Sequence, residues 1–216
     1  MKKASVQIVL LFPLAVIVMG AGSSKHHNSS QASTGKPGVF DYYLLTLSWS
    51  PEFCYSHKDK PECQSGHYGF VVHGLWPQYV NGYPEHCSNA PGLSDPAEIS
   101  DIMPDAGLVA HEWTTHGTCS GLDAEAYFKQ LRQAFGSVKI PERFKDPQQQ
   151  FSIPPQNVKS EFIQDNSGFN ASEMTVSCGN NFLTAISFCL TKDLKPTACQ
   201  NVRDCRANVI KVPPVR

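Results

Sequence analysis

Charge is scarce in this chain: Asp, Glu, Lys and Arg make up 17% of 216 residues, against roughly 25% in an average globular domain. No block of like charge and no internal repeat occurs, which excludes an acidic or basic disordered tail, a coiled coil and a collagen-like rod. A basic excess is missing too. The formal net charge is −1, so there is no broad Lys/Arg face to coat a polyanion through counterion release, and any polyanion site must be local. Close Cys-x-x-Cys pairs, the usual frame of a structural zinc, are absent, the tightest spacing being Cys199 to Cys205. After Met19 no apolar run is long enough to cross a membrane.

What is present is a secreted pattern. Residues 1–22 read as a signal peptide: Lys2 and Lys3 start it, Ile8 to Met19 is apolar, and Gly20, Ala21 and Gly22 follow. The apolar stretch is short for a span of about 20 residues, so the segment is read as cleaved, leaving no membrane attachment. Its removal takes the net charge from −1 to −3. Residues 23–38 are rich in Ser, Gly, Asn and Lys without apolar periodicity and read as a flexible leader, in which His26 and His27 are solvated. All eight cysteines lie beyond it. An even number in an exported chain implies four disulfides, for which spacing alone leaves about 105 pairings.

Ordered structure is expected from Val39. Residues 40–47 are apolar on both faces, as in a strand buried on two sides, and the run stops at Ser50-Pro51. Residues 68–73 read as another central strand that ends at Gly74, with Pro77 barring a long continuation. Residues 78–110 read as loops with one short helix near Pro96 to Ile102. Asp123 caps a helix whose apolar stripe is Tyr127, Phe128, Leu131 and Phe135, ending near Gly136. Another helix follows Pro154-Pro155 and runs to about Asn166. Strands return at Met174 to Cys178, Phe182 to Leu190 and, as an edge, Val209 to Val212. The pattern is α+β, a central antiparallel sheet with flanking helices in one domain over residues 39–216.

Three of eight histidines stand out: His73 at a strand end before Gly74, and His111 with His116 in HEWTTHGTC. A single histidine is an ordinary surface or core residue, but an acid-base residue at a strand terminus together with two more bracketing a glutamate forms a proton-transfer set. A metalloprotease helix needs H-E-x-x-H, with both histidines on one face. Here the spacing is i, i+5, about 140° apart on a helix, which disfavours a shared metal, so no metal is assigned. At i, i+4 the helix instead places Glu112 beneath His116 and His111 beneath Thr115. A carboxylate beside His116 is expected to raise its pKa.

FVVHGLWPQY at residues 70–79 and HEWTTHGTC at 111–119 resemble the two active-site segments of the ribonuclease T2 family, and residues 41–54 resemble its first core strand. The resemblance implies a ribonuclease T2-like fold and a metal-free, cofactor-free endoribonuclease. In that reaction the ribose 2′-hydroxyl attacks its own phosphodiester, the 5′-oxygen leaves and a 2′,3′-cyclic phosphate remains. By resemblance His116 is the base, His73 the acid, His111 a phosphate ligand, and Glu112 a stabiliser of the phosphorane. RNA is the substrate and DNA, lacking the nucleophile, is inert. Trp76 is expected to stack on a base, with Tyr79 or Tyr83 adjoining it; a loop anchor is the other reading of either tyrosine. Trp113 and Trp49 read as core. The resemblance further implies the pairs Cys54–Cys63, Cys87–Cys119, Cys178–Cys205 and Cys189–Cys199. Family members commonly carry lysine where this chain has Thr115, so a fixed cation near the phosphorane is missing. That departure motivates an alternative: a catalytically weakened RNA-binding or toxin-like protein on the same fold. The expected product is a secreted or periplasmic monomer.

Overall fold

The computed structural model describes residues 32–216; the signal reading and the first part of the leader fall outside them. The strands are β1 (Ala32–Thr34), β2 (Tyr42–Trp49), β3 (Phe70–Gln78), β4 (Tyr83–Glu85), β5 (Phe151–Ile153), β6 (Met174–Gly179), β7 (Phe182–Leu190) and β8 (Ile210–Val212). The α-helices are α1 (Ser50–Phe53), α2 (Pro61–Ser65), α3 (Ala106–Thr115), α4 (Ala124–Gly136) and α5 (Pro155–Asp165). The architecture is α+β. β2 lies between β3 and β7, antiparallel to both. β7 continues antiparallel to β6 and touches β8 at one parallel bridge, Phe182 to Lys211, while β8 pairs with β5.

β2 is central because both its faces are apolar. Tyr43, Leu45, Leu47 and Trp49 enter the main core, where Tyr127, Phe128 and Leu131 of α4 and Val158 and Phe162 of α5 pack. Each fully buried large apolar side chain contributes roughly 1.5–3 kcal/mol. The opposite face of β2 carries a small cluster, Tyr42 and Leu44 with Cys189 and the edge of Trp76, then turns polar at Thr46, whose hydroxyl lies 2.9 Å from that of Ser187. Asp123 caps α4 by accepting the Ala126 N–H at 2.8 Å, and Pro155 opens α5 where no N–H is required.

Three expectations need correction. β3 does not stop at Gly74 but runs through Pro77 to Gln78; it is the sheet's edge strand, where a proline costs no central ladder bond. Residues 78–110 are not loop almost throughout: they hold β4 and the first half of α3, whose N-cap Asp105 accepts from Gly107 N–H at 2.8 Å. The final residues of the expected leader are placed: β1 runs parallel to β4, and Gly38 N–H donates to Cys119 O. A three-residue strand held by backbone bonds needs no apolar side-chain pattern, so none was there to read.

Disulfides join Cys54 to Cys63, Cys87 to Cys119, Cys178 to Cys205 and Cys189 to Cys199. Cys87–Cys119 ties the segment after β4 to the end of the α3 region. Replacing both of its cysteines with serine is expected to cost about 2–5 kcal/mol, read as a lower urea midpoint at unchanged slope.

Candidate active site

The site starts from a parity change in β3. Thr46 of β2 faces Gly74 and Leu47 faces Val72, so His73 is an extra residue in a β-bulge. Side chains alternate along a regular strand, which would put residues 73 and 76 on opposite sides. The bulge instead sends Val72 and Leu75 into the core, both with no exposed surface, and brings the rings of His73 and Trp76 together at 5.4 Å between centroids.

Helix α3 supplies the facing side. Glu112 is 1% exposed. Its Oε2 accepts the indole N–H of Trp76 at 2.6 Å, and its Oε1 lies 3.4 Å from His73 Nε2. The other nitrogen of His73, Nδ1, is 2.9 Å from the Ser48 hydroxyl. His73 is thus held from both nitrogens. Gly74 makes the approach possible, since a β-carbon there would collide with the Glu112 carboxylate and the Trp76 indole. The carboxylate was expected beneath His116. Its hydrogen bond goes instead to β3, while the His116 N–H donates to Glu112 O at 3.0 Å.

His116 is the C-cap of α3. Its ring lies 5.4 Å from Trp76 and 6.2 Å from Tyr83 between centroids, so one indole has an imidazole from each motif beside it. The pKa of His116 is lowered, contrary to the expectation: burial outweighs the pull of Glu112 and Glu85, and His111 and His73 push in the same direction as burial. A second cause acts alongside. The imidazolium needs two acceptors, yet Nδ1 is buried with no partner among the described residues. Both effects disfavour the imidazolium of His116.

His111 is exposed and 6.5 Å from His116 between ring centroids. Its Nδ1 faces the Thr115 hydroxyl at 3.5 Å, the long limit of a hydrogen bond. Thr115 itself is buried. Trp113 is core, with its N–H donated to Ala90 O and its ring against Tyr127, and Trp49 likewise donates to Pro213 O. Tyr79 is half-buried in the wall of a cavity beside His116. Sequence reasoning missed Ser48, a small polar side chain two residues after Thr46 on the largely apolar strand β2, and Glu85, which the placement of β4 brings near His116. Among the described residues no group of three His, Cys, Asp or Glu side chains is arranged to hold a metal ion.

The Ribonuclease T2 family model matches residues 40–205, both motifs included. This chain belongs to the Ribonuclease T2 family. A ribonuclease of Aeromonas hydrophila is 44% identical to it over 111 residues that cover 50% of each chain. Ribonuclease I of Escherichia coli K12 is 26% identical over 206 residues, covering 72% of this chain and 77% of that protein. This chain thus spans about half the length of the first of these curated relatives. The fold also matches that of an RNase MC1 mutant solved with 5′-UMP, with a TM-score of 0.66 at 20% identity over 79% of this chain and 97% of that one.

Proposed function

We propose that the protein is an exported, monomeric endoribonuclease that cleaves single-stranded RNA by transphosphorylation, with no metal or cofactor. The observation that carries this reading is the pair of imidazoles, His73 and His116, beside one indole. His116, whose pKa burial lowers, takes the proton of the ribose 2′-hydroxyl. The freed oxygen attacks the adjacent phosphorus, and the P–O5′ bond breaks as His73 hands its proton to the departing oxygen. The product ends are a 2′,3′-cyclic phosphate and a 5′-hydroxyl. DNA is inert because it lacks the nucleophile.

The remaining residues orient and stabilise. Glu112 orients the His73 ring from 3.4 Å at Nε2, and it fixes the Trp76 plane on which a base stacks. His111 faces the phosphate from α3. Two separate cavities support a substrate straddling the histidines: one of about 260 Å³ has His116 and Tyr79 in its wall, and another of about 220 Å³ is lined by His73 and His111. The 5′-UMP held by the RNase MC1 mutant supports nucleotide binding on this fold.

Incubating the oxidised protein with RNA or DNA, with and without EDTA, and identifying the ends tests the proposal. RNA-only cleavage to cyclic phosphate despite EDTA is expected; EDTA-sensitive activity, or none between pH 4 and 8, overturns it. The pH profile carries a further expectation. A base works only when unprotonated, so a lowered His116 pKa moves the acid limb of kcat/KM below the ordinary imidazole value of about 6.5. A limb centred above that value contradicts the assignment of His116 as base.

A further inference from the structure

The cavity beside His116 holds two charged groups that the reaction does not use. Glu85, half-buried on β4, and Arg203, exposed on the segment between Cys199 and Cys205, both line it. Neither forms an ion pair, with the other or with any other described residue, and neither side chain has a hydrogen bond there. A carboxylate and a guanidinium that share a cavity without neutralising each other leave it with acceptors at one place and donors at another.

Arg203 stands on a fixed wall. Its segment is stapled by Cys189–Cys199 and Cys178–Cys205, and buried Lys159 pairs with Asp204. Asn201 donates its amide to Val80 O at 2.9 Å, joining this wall to the loop after β3. The backbone of this segment is thus ordered before binding, and the Arg203 side chain is what remains to be ordered. At about 260 Å³ the cavity is smaller than the roughly 300–1,000 Å³ of pockets for drug-sized ligands, so it suits one base between Trp76 and Tyr83.

We propose that this cavity selects guanine for the nucleoside that supplies the attacking 2′-hydroxyl, with Glu85 and Arg203 as the reading residues. The inference rests on the ribonuclease reading, which puts that nucleoside next to His116. Guanine is the base whose adjacent N1–H and N2–H₂ donors match the two oxygens of a carboxylate, while its O6 and N7 acceptors suit a guanidinium. Adenine offers one exocyclic amino group between two ring-nitrogen acceptors, cytosine one beside a single ring-nitrogen acceptor, and uracil one N–H between two carbonyls, so none presents two adjacent donor groups to a carboxylate. Stacking on the aromatic walls serves every base, so discrimination falls to the polar lining, in which Glu85 and Arg203 carry the charge.

The test measures kcat/KM for the dinucleoside monophosphates GpU, ApU, CpU and UpU, and the affinity of guanosine 3′-phosphate against uridine 3′-phosphate. GpU is expected to lead the other three by at least about tenfold, within what one bidentate base contact provides, and guanosine 3′-phosphate to bind more tightly by a similar factor. Glu85→Ala is expected to shrink the GpU lead to about threefold or less, and Arg203→Gln, on a surface position that does not endanger folding, to reduce it as well. Base-blind cleavage, or a lead unchanged in both variants, overturns guanine selection and leaves the ribonuclease reading standing. Cleavage of none of the four overturns the ribonuclease reading and this inference with it.

Discussion

His116→Ala is expected to lower kcat on RNA by about 100- to 10,000-fold with the fold intact, and His73→Ala to do the same. Both residues are only half-buried, so their truncation is expected to leave the packed elements in place. The two losses are separable by the leaving group. An aryl ester of uridine 3′-phosphate expels a phenolate that needs no proton, so His73→Ala should regain most of its rate on that substrate while His116→Ala stays slow, because the 2′-hydroxyl must still be deprotonated. The double variant is expected to be little slower than the worse single one, as groups acting as a unit are not additive. Activity of His116→Ala within tenfold of the parent protein, at unchanged circular dichroism, contradicts the mechanism.

Glu112→Ala is expected to cost about 100- to 1,000-fold in kcat together with about 1–3 kcal/mol of stability, because the buried indole N–H of Trp76 loses its acceptor. Glu112→Gln separates the two effects. It retains the volume and one acceptor oxygen for Trp76, so the urea midpoint should recover most of the way. It removes the negative charge beside His73, so the rate should remain at least about tenfold down, as expected when a preorganised electrostatic contact is lost. If Glu112→Gln restores stability and rate together, the carboxylate is a scaffold only.

The regular elements were legible in the sequence where one physical pattern dominated. β2 is apolar on both faces and lies at the sheet centre; α4 has its cap and stripe where Asp123 and Tyr127 put them; β6 and β7 follow alternation and β-branched content. The two motifs marked His73, Trp76, Glu112 and His116, and the structure brings these side chains together. What escaped was set by tertiary context. Pro77 is acceptable because β3 is an edge, and edges are not written in the strand itself. The i, i+4 rule placed Glu112 under His116, but a carboxylate offered an indole N–H and an imidazole across a gap left by Gly74 turns to them. For His116 the Coulomb argument had the correct sign for Glu112, and burial, which a sequence does not display, outweighed it. β1 and Glu85 depend on backbone pairing between segments distant in sequence.

The single extra residue at His73 ties chemistry to the count of residues rather than to their kind. Had the strand paired with its neighbour without that insertion, Val72 and Leu75 could not both reach the interior, and His73 and the indole would part company. A chain mispaired by one position would therefore lose its packing and its reactive groups in the same stroke. Catalytic turnover in a refolding experiment should then rise in step with burial of the Trp49 ring, making the appearance of enzyme a direct clock for correct hairpin alignment.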